Sequence, residues 1–326
     1  DRPYKILLVQ VGTLSFSHPS FTLGVFISSA VVVGQPHRRV RRRAVRSATV
    51  HTAAVSDTVE EMDLPTPHAT SNGGRMTNNK KGMEMSTTSP LFDEWVQAFD
   101  GIHPLVDIGC AWGKNVFEAA KVLAKTRGPP AATAVRVMAC DCDEAHLAYT
   151  RAHAPPDVAT AFARVPDAPP AVTASSILIG EVLHFVEGHA IDKTLAWAHD
   201  ALVPGGVLCL TAGTPWAKFV PGASGMCPIQ AVAQSLWEAN QGKDWPGSQG
   251  VNHQELMAGA SLFNMPNDQL PTYLHPIAAE DLSRACERAG FEVLLKREQI
   301  HPGWPPASAN NGRENAQVVA RKVVRA

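Results

Sequence analysis

Paired cysteines are missing from this chain. Its six cysteines, Cys110, Cys140, Cys142, Cys209, Cys227 and Cys286, form no CxxC pair with a matching partner. No zinc ribbon or other metal centre is therefore expected. The scatter offers no disulfide framework either, which fits a reducing compartment. Cys140 and Cys209 sit inside apolar runs and read as small core residues. Long apolar runs are scarce too. The stretch Phe21 to Val33, FTLGVFISSAVVV, is too short to cross a bilayer comfortably, so no stable membrane insertion is expected. Acids are nearly absent from the first fifty residues. Residues 1–46 carry eight Lys/Arg and one Asp; taken from the chain totals of 29 and 30, this leaves 21 basic against 29 acidic residues, a net −8 for the body. An acidic body repels phosphate backbones, so nucleic acid is not expected as a partner.

The basic run HRRVRRRAVR, His37 to Arg46, follows the short apolar stretch, and a polar Ser/Thr/Asn/Gly-rich segment follows to about Gly82. Two readings stand side by side. One is a targeting leader, signal-like then transit-like, which would send the protein to a plastid or mitochondrion. The other is an over-extended reading frame whose true start is Met76, Met83 or Met85, leaving a cytoplasmic protein; the chain itself opens on Asp1. Both exclude residues 1–85 from the fold and leave 86–326 as the folded domain.

From Ser89 onward, strand-like and helix-like patterns alternate. SPLFDEWVQAF suits a short amphipathic helix, and HPLVDIG a buried strand. NVFEAAKVLAKT has helical spacing, with Asn115 at the cap. AVRVMACD, VATAFAR, SSILIG and VLCLTAG read as further strands. DEAHLAYTRAH and HAIDKTLAWAHDAL, the latter stopped by VPGG, read as helices between them. After a long insert from Thr214 to about Pro276 come the helix AAEDLSRACERAG and two last strands, FEVLLKRE and NAQVVARKVV. The pattern predicts an α/β, doubly wound, mostly parallel seven-stranded sheet with a late antiparallel strand. In such sheets a ligand sits outside the carboxyl ends of the strands.

At one of those ends stands LVDIGCAWGK, Leu105 to Lys114. A Walker loop needs Ser/Thr where Asn115 stands, and a different spacing. A dinucleotide loop needs GxGxxG without Asp107 ahead of it, since a carboxylate there repels a pyrophosphate and favours a cation. The strand, the acid and Gly109-x-Ala111-x-Gly113 resemble the first motif of the class I S-adenosylmethionine-dependent methyltransferases. Ala111 replaces the middle glycine of that motif. VMACD places Asp141 where the family has the acid that receives both ribose hydroxyls, with Asp143 as the neighbouring alternative. LIGEVLHF resembles the loop after the family's fourth strand, and Pro204-Gly205-Gly206 its turn before the fifth.

This resemblance covers residues 89–325 and implies S-adenosyl-L-methionine as cofactor. It also implies a cofactor site of Asp107, Gly109, Ala111, Gly113, Asp141, Cys142, Asp167, Gly180 and Glu181. Asp167, in RVPDAPP, would contact the adenine amino group; the alternative is a solvated loop acid. Gly109 and Gly113 have a plainer reading as turn glycines, Asp107 as a helix-cap acid, and Asp141 as a cap for the next helix.

Methyl transfer is an in-line displacement helped mainly by held geometry and exclusion of water. A base is needed only when the acceptor must lose a proton. His184 lies three residues after Glu181, so both can line one side of a helical turn. Either His184 is a general base oriented by Glu181, or His184 packs under the cofactor while Glu181 holds the methionine amine or a loop. Tyr273 and His275 share a face if LPTYLHP is extended, and they complete the catalytic candidates. The insert also carries Trp216, Trp237 and Trp245, which suit either an acceptor cage or the core of a lid over about 214–276. His253 and Trp304 are further candidates.

No Asn/Asp-Pro-Pro-Tyr/Phe motif marks base methylation, so a small-molecule acceptor is expected, with the oligomeric state left open. A catalytically silent binder on the same fold, an NAD(P)-dependent oxidoreductase and an aminopropyl transferase are the alternatives.

Overall fold

Leu105, Val106, Asp107 and Ile108 are all buried, and a strand with both faces covered belongs in the middle of a parallel sheet. The computed structural model places it there. It describes residues 64–70, 73–78, 82–130, 134–217, 228–248, 273–304 and 311–323. The leader-like residues 1–63, His253 and Cys227 lie outside these, as does most of the insert.

Two short strands come first, β1 (Arg75–Met76) and β2 (Met83–Glu84), paired antiparallel. The body then runs α1 (Phe92–Gln97), β3 (Leu105–Ile108), α2 (Lys114–Arg127), β4 (Val137–Asp141), α3 (Glu144–His153), β5 (Val158–Phe162) and β6 (Ala174–Gly180). After a 3-10 turn over Leu183–Phe185 come α4 (Gly188–Ala201), β7 (Leu202–Gly213), α5 (Pro228–Ala239), α6 (Ala279–Arg288), β8 (Phe291–Gln299) and β9 (Asn315–Lys322).

The main sheet has seven strands in the order β5-β4-β3-β6-β7-β9-β8. β9 runs antiparallel to both of its neighbours, and the pairs from β5 through β7 are parallel. This is the doubly wound, mostly parallel sheet with one late antiparallel strand that the pattern predicts. The chain winds outward from β3 to β4 and β5, then returns to pair β6 on the other side of β3. The crevice between β3 and β6 is thus the switch point where open α/β sheets bind ligands.

Alternation along each strand divides the core. Val106, Ile108, Ile177, Ile179, Leu208 and Leu210 face α4 and α6 through Leu195 and Leu282. Leu105, Leu178, Cys209 and Val319 face α1 and α2 through Trp95, Val116 and Leu123. Cys140 and Cys209 are buried free thiols, as their apolar surroundings imply.

One expectation is corrected. Asn115 is not the cap of α2. The cap position is Gly113, at φ 88°, and it makes no side-chain cap bond. Asn115 lies inside the first turn, where its side-chain Oδ1 accepts from the Ser89 backbone N–H at 2.9 Å. Residues ahead of 86 also carry described structure, the strands β1 and β2. β1 and β2 pack on the start of α2: the Trp112 indole donates to the Met76 carbonyl at 2.6 Å, and the Asn78 N–H to His146 Nε2 at 3.0 Å. A polar, glycine-containing segment carries no periodicity to announce a two-residue strand held by tertiary contacts.

Candidate functional site

β3, β4 and β6 end at the same level, and their following loops enclose a cavity of about 410 Å³. That volume lies in the usual range for small-ligand sites. One side is the loop Gly109–Ala111. A Cβ at Gly109 would stand 2.3 Å from Val182 Cγ2, and its φ is 77°. The glycine is therefore required both by the backbone turn and by the close approach of the β6 loop. Ala111 has φ 45° without being glycine, a conformation that costs an L residue about 1 kcal/mol. Asp141 offsets it, since Oδ2 accepts the Ala111 N–H at 2.9 Å.

The loop's amides are already spent. The N–H groups of Gly109 and Cys110 both donate to the Cys140 carbonyl, at 2.8 and 3.0 Å, and that of Gly113 to the Cys110 carbonyl at 2.9 Å. The Lys114 N–H donates to Glu84 Oε1 at 2.9 Å. A phosphate cradle needs such amides free and aimed at the ligand. Here five of the six backbone donors from Gly109 to Lys114 go to protein acceptors, so the loop is not built for a diphosphate.

Carboxylates dominate the wall instead: Glu84, Asp141, Asp143 and Glu181 line it against Lys114 and Arg164. Asp141, at the end of β4, accepts the Asp143 N–H through Oδ1 at 2.9 Å as well as that of Ala111. Asp143 caps α3 by accepting from the Ala145 N–H at 2.9 Å. His146 Nδ1 stands 3.2 Å from Asp141 Oδ1. Glu84 pairs with Arg75, while burial pushes its carboxyl upward from the usual range.

Asp107 is not in the wall. It is 1 % exposed and lies beneath the loop. Oδ2 receives Asn115 Nδ2 at 3.4 Å, and Oδ1 has no partner among the described residues. Burial pushes its carboxyl up to about 7; the nearby Asp141 and Glu84 push the same way and Asn115 opposes. A buried, half-bonded carboxylate of this kind is stabilised by any cation that docks above it.

The β6 side is built around Glu181. Its φ is 58°, and it is one of two non-glycine residues with positive φ among the described residues. Its N–H donates to both the Thr211 carbonyl at 3.0 Å and Thr211 Oγ1 at 3.2 Å. Oε1 accepts from Asn315 Nδ2 at 2.6 Å. Burial pushes the carboxyl up to about 6, with Thr211 and Asn315 pulling it down.

The structure therefore brings Gly109, Ala111, Asp141, Cys142, Gly180, Glu181 and Tyr273 to one cavity. Others it does not. Gly113 turns the chain into α2 outside the wall, its Cβ position facing Phe117. Asp167 is exposed at the tip of a turn closed by reciprocal bonds between Arg164 and Ala168; Ala163, Arg164 and Val165 line the cavity in its place.

His184 is buried behind the wall. Its Nδ1 accepts the Gly213 N–H at 3.2 Å and lies 4.0 Å from Glu181 Oε2. Burial, reinforced by His275, drives its pKa down to about 3. With Nδ1 filled and Nε2 carrying the proton, the ring has no basic nitrogen to offer. This arrangement is the one the packing reading describes. His275 also stays out of the wall: its N–H donates to the His184 carbonyl at 2.7 Å, and its ring meets Trp245 edge-on at 5.5 Å. Trp216 and Trp237 pack edge-on at 5.3 Å, with Trp237 donating to Asp281, and neither lines the cavity. No cluster of three or more metal-ligating side chains occurs among the described residues.

Several wall residues escaped the sequence reading. Glu84, Met83 and Met85 lay in the excluded leader. His301 sits in a loop without periodicity. Asn315, which touches the wall only through Glu181, had one signal: with Gln317 it puts two amides on one face of an otherwise apolar strand.

No protein-family profile matches the chain, and no curated protein matches its sequence. Solved structures do. One is an S-adenosylmethionine-dependent methyltransferase from Mesorhizobium loti, at 18% identity over 71% of this chain and 97% of that one, TM-score 0.44. Another is human N-acetylserotonin methyltransferase in complex with SAM, at 15% identity over 72% and 52%, TM-score 0.40. A third is magnesium protoporphyrin IX methyltransferase from Synechocystis with bound SAH, at 10% over 71% and 80%, TM-score 0.40. At these identities the likeness concerns the fold.

Proposed function

We propose that this chain is a methyltransferase that binds S-adenosyl-L-methionine between β3 and β6 and passes its methyl group to a small-molecule acceptor. One observation carries the reading: the glycine loop has its amides bonded to protein while carboxylates surround it. That combination disfavours the phosphates of a dinucleotide and favours a cation with hydroxyl donors. Asp141 Oδ2 has a second lone pair with which to take a ribose hydroxyl, whereas Oδ1 accepts the Asp143 N–H and is faced by His146 Nδ1 at 3.2 Å. Ala163, Arg164 and Val165 would border the adenine. Asp107 supplies negative potential from below rather than a direct contact. Bound there, the cofactor supplies an electrophilic methyl group on a sulfonium.

The protein's part is to hold the acceptor in line and keep water out. Met83, Met85, Val182, Phe185 and Val186 give the cavity its apolar side, which suits a small, largely apolar acceptor.

Titration calorimetry with S-adenosylhomocysteine and with NAD(P) tests the reading. Binding of the first but not the second is expected, together with transfer of a labelled methyl group into a low-molecular-weight fraction. Heat with NAD(P) alone would discard it. Cofactor binding without transfer to any fraction would favour a silent binder.

A further inference from the structure

The carboxylate of Glu181 ends a chain of hydrogen bonds whose direction is fixed by chemistry. Arg297 Nε donates to Gln317 Oε1 at 2.7 Å. A guanidinium donates and never accepts, so the oxygen of Gln317 must face it. Gln317 Nε2 then donates to Asn315 Oδ1 at 3.2 Å, which leaves Asn315 Nδ2 to donate to Glu181 Oε1 at 2.6 Å and to the Ala212 carbonyl at 3.2 Å. Gln317 and Asn315 are fully buried, and a buried network works only when every member is satisfied. Its last donor demands an acceptor. A proton on Oε1 would oppose the amide N–H, so a proton arriving at Glu181 belongs on Oε2.

The backbone tells the same story. A glutamate at φ 58° is strained by about 1–3 kcal/mol, and such strain collects where a side chain must be aimed. Glu181 stands at a strand end and lines the cavity. The imidazoles around it cannot substitute. The acceptor nitrogens of His146, His184 and His301 are filled by the backbone N–H groups of Asn78, Gly213 and Gly303.

We propose that Glu181 is the base of the reaction, taking on Oε2 the proton of a hydroxyl acceptor, and that Asn315, Gln317 and Arg297 are the residues that position it. The proposal rests on the methyltransferase reading above. In the step, the acceptor O–H bond breaks and its proton passes to Oε2. The oxygen's electron pair forms the new C–O bond to the methyl group. The S–CH3 bond breaks with its electrons going to sulfur, leaving a neutral thioether, a methyl ether and a protonated carboxyl. A carboxyl raised by burial to about 6 is better matched to a phenol, near 10, than to an alkyl hydroxyl.

The probes are substituted phenols and thiophenols of the same skeleton at mildly alkaline pH, where the thiols are already ionised. Glu181→Gln is expected to cut transfer to the phenol by at least about 10²-fold while cutting the thiophenol rate far less. Asn315→Leu is expected to lower kcat with little change in KM and to move the acidic limb of the phenol profile to higher pH, because the ionised carboxylate loses a donor. A merely structural residue would not move that limb. The other titratable groups facing this space, Glu84, Cys110, Lys114, Asp141, Cys142, Asp143, His146, Arg164, Tyr273 and His301, are the same in every variant, as is His184 behind Glu181.

Equal losses for phenol and thiophenol would overturn the assignment, as would a wild-type enzyme that methylates the thiols only or neither series. S-adenosylhomocysteine affinity, measured beside the rates, separates the failures. If the wild type does not bind it, the methyltransferase reading falls. If wild type and Glu181→Gln bind it alike and the phenol shows no selective loss, only the base assignment falls.

Discussion

Glu84 Oε1 accepts the backbone N–H of Lys114 at 2.9 Å, across thirty residues of sequence, and so caps the helix that begins at the ligand loop. Gly113, which should cap α2, has no side chain to do so. A carboxylate at a helix N-terminus satisfies an orphan donor and complements the helix dipole. The β1–β2 hairpin therefore completes the site as well as covering it. Arg75 ties the cap down, pairing with Glu84 and lying 5.5 Å over the Tyr149 ring.

Glu84→Ala should accordingly cost about 1–2 kcal/mol in urea unfolding, the usual range for a lost cap. It should also expose the segment from Gly73 to Met85 to limited proteolysis in the otherwise folded protein. A chain begun at residue 86 should lose S-adenosylhomocysteine binding in calorimetry, since cavity wall and cap leave together. Full affinity in that truncated chain would show the hairpin to be dispensable.

Asp107 yields a prediction in which stability and binding move in opposite directions. Its carboxyl sits near 7 instead of 3.8 because it is buried. Ionising it is therefore unfavourable in the folded protein, and the penalty grows as pH rises from about 4 through 7. Asp107→Asn should stabilise the ligand-free protein at pH 8 by about 1–3 kcal/mol. It should weaken S-adenosylmethionine, which carries the extra positive charge, by about 1–2 kcal/mol relative to S-adenosylhomocysteine. For the wild type, a bound cation favours the ionised form, so S-adenosylmethionine affinity should fall as pH drops below 7 and binding near pH 7 should release protons. Calorimetry in buffers of different ionisation enthalpy measures that release.

The stretch from Leu105 to Lys114 was legible because every layer of signal agreed there. A continuous apolar strand can only be buried, its closing acid and glycines can only turn, and the helix pattern restarts at once. Asp141 was legible for the same reason, as an acid at a strand end before a capped helix. What failed to show was whatever depends on distant chain meeting the site. Glu84 arrives on a polar hairpin with no period, Asn315 from a strand 134 residues beyond Glu181, and His301 on a loop. Asp167 had the right spacing, but a tight turn carried it to the surface. His184 had the right position, but the Gly213 amide fills the nitrogen a base would need, and no spacing rule reports that bond.

His184 should make the fold sensitive to acid. Its pKa falls from 6.5 to about 3 in the folded protein, so the folded state favours the neutral ring. The associated stability is fully present above pH 6.5 and is lost as pH falls from 6.5 toward 3. His184→Gln keeps an oxygen able to accept the Gly213 N–H but cannot titrate. At pH 8 the variant should be no more stable than the wild type, and between pH 6 and 4 it should lose less stability on acidification. Its S-adenosylhomocysteine affinity should stay within about threefold, worth about 0.6 kcal/mol. Parallel acid profiles for the two proteins would assign the sensitivity elsewhere, His301 being the next candidate, with its pKa lowered to about 4 by burial.

Gly109 and Val182 form a pair whose coupling can be measured. A Cβ at Gly109 would stand 2.3 Å from Val182 Cγ2, and φ there is 77°. Gly109→Ala thus meets two separate penalties, a steric overlap and a left-handed backbone. Val182→Ala removes the methyl group responsible for the first and leaves the second. Gly109→Ala alone should destabilise by about 3 kcal/mol or more, combining overpacking with conformational strain. Adding Val182→Ala should recover all but about 1–2 kcal/mol of the Gly109→Ala cost, a clear departure from additivity in a double-mutant cycle. Thermal or urea unfolding of the four proteins supplies the cycle. Additive losses would mean that the two loops separate readily when the methyl is added. In that case the close seam between the β3 and β6 loops would not be what holds the cavity's shape.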